Sequence, residues 1–80
     1  MDDAQLVARI DHLVEEEHEL ERTHADTGLN EDERARLQSL EVQLDQCWDL
    51  LRQRRARRHA GQDPDSAEVR PPSVVEHYQQ

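Results

Sequence analysis

The chain contains no phenylalanine and no lysine, and it has a single cysteine, one tryptophan, one tyrosine and two glycines. Each scarcity removes a class of function. The lone Cys47 excludes an internal disulfide and any cysteine-based zinc cluster within one chain. Two glycines leave no glycine-rich phosphate loop, and neither G-x-S-x-G nor Cys-x-x-Cys occurs. Long apolar runs are missing too, so the sequence offers neither a signal-peptide core nor a membrane span, and a cytoplasmic location is expected. Apolar residues make up 34% of the 80 positions and charged residues 36%, close to the composition of disordered chains. Whatever folds here must fold by periodicity rather than bulk hydrophobicity, within one small domain.

The net charge of −9 argues against a general nucleic-acid or anionic-membrane binder, because phosphate contacts need a cationic face. The charge is segregated, however. Residues 52–60 carry five Arg and no acid, whereas residues 1–30 carry nine acids and two Arg. The complete absence of lysine reads as the codon usage of a GC-rich genome.

Apolar residues then recur at helical spacing. Leu6, Val7, Ile10, Leu13, Val14 and Leu20 predict a helix over about 3–25, started by Asp2 or Asp3. Leu37, Leu40, Leu44, Cys47 and Leu51, with Trp48 on the flank, predict a second over about 31–60. Between them Gly28 suits a C′ position, and Asn30 with Glu33 has capping-box spacing. Gly61 and Pro64 end the second helix. A short loop makes the two antiparallel, with Leu20 near Leu37, Leu13 near Leu44 and Leu6 near Leu51. The fold class is therefore all-α, a helical hairpin over residues 1–61. Two helices cannot enclose a core, so pairing of two hairpins into a homodimeric four-helix bundle is expected. Residues 62–80 read as a polar tail in which Ser73 and Glu76 have capping-box spacing, giving a short helix over 74–79. Val74, Val75 and Tyr78 there can fold back over the hairpin or serve as a docking peptide, and a partly ordered tail is the plainer expectation.

Three features invite chemistry. In EEEHELERTH the apolar stripe runs into Glu17, flanked by Glu21 and His24, and Glu21-x-x-His24 has the spacing of ferritin-like metal ligands. The second helix offers no inward acid at its stripe positions, and Glu33 and Glu41 point off that face, so no metal or other cofactor is expected and a hydrated loop end is the simpler reading. His12 and His18 lie nearer the polar side. In RQRRARR, Arg54, Arg55 and Arg58 continue the stripe past Leu51, with Arg52 and Arg57 beside them. Such a cluster suits a helix C-terminus, where Asp2, Asp3, Asp63 and Asp65 can neutralise it; it also suits an acidic protein surface, phosphate or RNA. Cys47 reads as a small core residue, since no His lies within a turn of it. Trp48 reads as a core or interface aromatic and a candidate docking anchor.

The segments LVEEEHELERTH, LEVQLDQCWDLLRQRRARRHAGQDPD and VRPPSVVEHY resemble the family designated domain of unknown function 2630, over nearly the whole chain. The resemblance implies a small, free-standing, helical cytoplasmic protein and brings no catalytic residue or cofactor with it. The function expected from the residues is a non-enzymatic helical interaction module binding a protein partner through Trp48 and Arg52, Arg54, Arg55, Arg57 and Arg58. The alternatives are an RNA- or ribosome-associated factor using the same arginines, and a metal-binding bundle using Glu21 and His24.

Overall fold

A computed structural model of the chain describes residues 1–23 and 27–75. Helix α1 spans Asp3–Thr23 and helix α2 spans Glu31–His59; a 3-10 turn at Pro64–Ser66 and a single helical turn, α3, at Pro72–Val75 follow. Among the described residues there is no strand. The all-α hairpin anticipated from the spacing is the observed architecture. His24 and Ala25, and Glu76, Tyr78 and the rest of the 74–79 segment past Val75, lie outside the described residues.

Local chemistry sets each boundary. Asp2 caps α1 reciprocally with Gln5: the Gln5 amide donates to Asp2 Oδ1 at 2.8 Å and the Asp2 amide to Gln5 Oε1 at 2.9 Å. Asn30 and Glu33 repeat the arrangement at the start of α2, at 2.8 and 3.0 Å. Gly61, at φ 75°, closes α2 in a Schellman motif. Its amide donates to the Arg58 carbonyl at 3.1 Å, and that of Gln62 to the Arg57 carbonyl at 2.7 Å.

The two helices run antiparallel, and polar cross-links mark their register. Asp3 meets Arg54 at one end, Arg9 donates to Gln43 midway, and Glu16 meets Arg36 toward the loop. That order is the antiparallel one that the short loop implies. Leu6, Ile10 and Leu13 of α1 and Leu40, Leu44 and Leu51 of α2 are buried. Leu20, Leu37 and Cys47, expected in the same layers, are half-buried. The core is therefore densest in the half of the hairpin away from the loop. There α2 also buries a second face, at Asp49 and Leu50, and the tail contributes a fully buried Val75. Both the 3-10 turn and α3 pack against α2, which thus becomes the middle layer between α1 and the returning tail.

Burial at this gradient predicts unequal responses along one stripe. Leu40→Ala should cost about 3 kcal/mol in urea-induced unfolding, as cavity-forming core truncations do. Leu37→Ala, one turn earlier and partly wetted, should cost less than half of that; equal losses would contradict the gradient.

Candidate functional site

The tail is fastened before any surface is left for a partner. Gln53 Nε2 donates to the Glu68 carbonyl at 2.8 Å and to Asp49 Oδ2 at 2.9 Å, using both amide hydrogens. Gln46 Nε2 donates to the Arg70 carbonyl at 3.2 Å. Asp49 has no exposed surface, and Arg70 clamps it with both Nε, at 2.9 Å from Oδ2, and Nη2 on Oδ1. A carboxylate taken wholly out of water is tolerated only when paired and hydrogen-bonded; here the planar guanidinium supplies two donors and Gln53 a third. Gln46, Asp49 and Gln53 recur at helical spacing along one face of α2, so the strap lies along the helix.

The arginine run divides into internal and outward groups. Arg54 is only 6% exposed. Its Nε donates to Asp3 Oδ1 at 2.6 Å, and its Nη1 to Asp65 Oδ1 at 2.9 Å and to the Pro64 carbonyl at 3.3 Å. One guanidinium thus joins the start of α1, the end of α2 and the 3-10 turn. Arg58 donates to the other oxygen of Asp3 at 2.8 Å. Together Arg54, then Arg58, hold the Asp3 carboxyl below its ordinary range. Of the four acids considered as neutralisers, Asp3 and Asp65 serve; Asp2 caps α1, and Asp63 caps the 3-10 turn through the Asp65 amide at 3.0 Å. Arg55 is exposed and Arg57 half-buried, and neither has an ion pair among the described residues. Arg52 is half-buried.

Toward the loop, the seam carries acid on both helices. Glu17 of α1 and Glu41 of α2 line one shallow cleft of about 170 Å³ with Val14, Leu44, Asp45 and Trp48. Burial pushes the Glu17 carboxyl up, and the charges of Glu21 and Glu41 push it further. The wheel set Glu41 off the inward face, and it is indeed exposed, yet it lies close enough to act on Glu17. Among the described residues no group of three or more His, Cys, Asp or Glu could hold a metal ion. His24, the proposed ligand beside Glu21, is outside them.

Trp48 is half-buried at the rim of this cleft, and Val7, on the same flank of α1 one heptad before Val14, is 42% exposed. The strap approaches α2 from the other side. There a second cleft, of about 150 Å³, is bounded by Leu6, Arg9, Gln43, Cys47, Leu50 and Val69, among others. Burial raises the Cys47 thiol above its ordinary value, with Arg9 partly opposing, so the sulfur stays protonated and is a poor nucleophile near neutral pH.

The Asp49–Arg70 clamp escaped sequence reasoning. Its one visible signal is Leu50, which falls off the core stripe and announces a second buried face on α2. No helix among the described residues is long and apolar enough to cross a membrane.

The fold and these surfaces define a small helical hairpin strapped by its own tail. The model of the family described as "Protein of unknown function (DUF2630)" matches residues 2–80, and the chain belongs to that family. It is similar to an uncharacterized protein of Mycobacterium bovis and to uncharacterized proteins of two strains of Mycobacterium tuberculosis. Each is 48% identical over 77 residues, covering 95% of this chain and 88% of the relative. No solved structure matches the chain.

Two outcomes test this description. Arg70→Ala leaves Asp49 buried with Gln53 as its remaining neighbour of the clamp, and should cost about 3 kcal/mol in chemical denaturation. Replacing both residues with Leu should recover most of that loss. Second, the Glu17 carboxyl titrates higher folded than unfolded, so its charge opposes folding above the unfolded value of about 4.5. Glu17→Gln should therefore raise the melting temperature at pH 7, with the gain shrinking as pH falls toward 4; a pH-independent gain would assign the effect to packing.

Proposed function

We propose that the protein is a non-enzymatic, cytoplasmic interaction module whose docking surface is the flank around Trp48, and that two hairpins associate there into a four-helix assembly. The observation that carries this reading is the half-buried Trp48 in the cleft it shares with Val14, Glu17, Glu41 and Leu44, on the flank away from Val69. Tryptophan is the residue type most enriched at interface hot spots, and a two-helix seam gains by covering the side that no segment of its own chain crosses. Arg55 and Arg57 border the strapped end and remain available to an acidic protein partner.

Less supports an RNA-binding reading. Arg54 and Arg58 are held by Asp3 and Asp65, which lowers both the charge and the reach of the cluster. A metal-bundle reading has Glu17, Glu21 and Glu41 near one another, but no qualifying ligand group among the described residues.

Light-scattering mass across the micromolar range tests the reading. The wild type should read twice the 9.4 kDa chain mass, and Trp48→Ala the single-chain mass with unchanged helical circular dichroism. A wild type that stays at the single-chain mass throughout would remove self-association.

A further inference from the structure

We infer that the partner on the Trp48 flank is a second copy of this chain docked antiparallel about a two-fold axis through Trp48, so that Glu41 of each copy meets Arg55 of the other. This rests on the reading of that flank as a self-association face and adds its orientation and register.

Spacing on α2 carries the argument. Glu41, Trp48 and Arg55 are seven residues apart in each direction, which sets them on one stripe of the helix. At 1.5 Å per residue, the acid lies about 10 Å to one side of the indole and the base about 10 Å to the other. An isologous two-fold contact requires that if residue i touches j, then j touches i. With the axis perpendicular to α2 at Trp48, the two indoles meet at the centre and Glu41 and Arg55 exchange places. The flank is thus self-complementary in charge: an apolar middle of Val7, Val14 and Trp48, an acidic end toward the loop, and an arginine end toward His59.

Neither end is balanced along this stripe within one chain. Glu41 adds its charge to that of Glu21 against Glu17, and Arg55 is exposed with no ion pair among the described residues. A second copy in this orientation brings arginine to the acids and acid to the arginine. The other two-fold arrangement of stacked hairpins, with its axis along the helices, places acid end on acid end. Like charges meeting there select against it.

Charge exchange tests the orientation, using the full chain and analytical ultracentrifugation at low and high salt. Glu41 and Arg55 are both exposed, so substitution there should leave the helical signal unchanged. Glu41→Arg alone and Arg55→Glu alone should each weaken the dimer about tenfold, because each creates two like-charge contacts across the axis. The double variant E41R/R55E should return to within about threefold of the wild type, and an equimolar mixture of the two single variants should dimerise better than either alone. Wild-type dimerisation should itself weaken with salt. A dimer indifferent to all three variants, or one tightened by Glu41→Arg, overturns the antiparallel register while leaving self-association standing. A wild type that is monomeric at every concentration overturns both.

Discussion

Burying the Asp49 carboxylate dictates where the tail of the chain must go. A carboxylate out of water is sustained only by a cation and donors placed at both of its oxygens. Arg70 is the cation, and it reaches Asp49 from 21 positions further along the chain. The tail must therefore reverse after Gly61 and run back along α2. Its path is held by polar bonds to main-chain carbonyls, from Gln53 to Glu68 and from Gln46 to Arg70, together with apolar contact at Ala67 and Val75. Once there it covers the face of α2 opposite α1, and Val75 becomes fully buried. A second guanidinium secures the turn: Arg54 joins Asp3, Asp65 and the Pro64 carbonyl at the place where the chain changes direction.

The two helices and their antiparallel packing were legible because they depend on local spacing and a short loop. Leu6, Ile10 and Leu13 and Leu40, Leu44 and Leu51 recur at helical intervals, and both caps at Asn30 and Gly61 are short patterns with a stereochemical cause. The strap was not legible. Gln46, Asp49 and Gln53 are residues a solvated helix face would carry, and their burial depends on a partner that sequence distance hides. The arginine run shows the same limit between two adjacent residues. Arg54 and Arg55 look equivalent in RQRRARR, but they point about 100° apart on the helix, and only one of those directions meets Asp3 and Asp65. At the loop end, Glu41 was placed correctly on the exposed side; its coupling to Glu17 across the seam depends on how closely the two helices pack, which periodicity does not specify.

What remains for function follows from what the fold uses. Trp48 and Asp49 are neighbours in sequence, yet one faces the open flank and the other the strap, so α2 divides its residues between outward contact and internal cohesion. The strap runs along the side of the seam where Cys47, Leu50 and Val69 gather and leaves a cleft there, whereas the side of Val7, Val14 and Trp48 carries no strap. An unstrapped hairpin would present two comparable faces and could associate in several registers. With one face lined by the strap in cis, the proposed self-association uses the Trp48 flank. On that flank the polarity of Glu41, Trp48 and Arg55 separates one orientation of two copies from its reverse. In the proposed dimer, with one tryptophan and a thin core in each copy, specificity would come from this arrangement of charge about an apolar centre rather than from buried area.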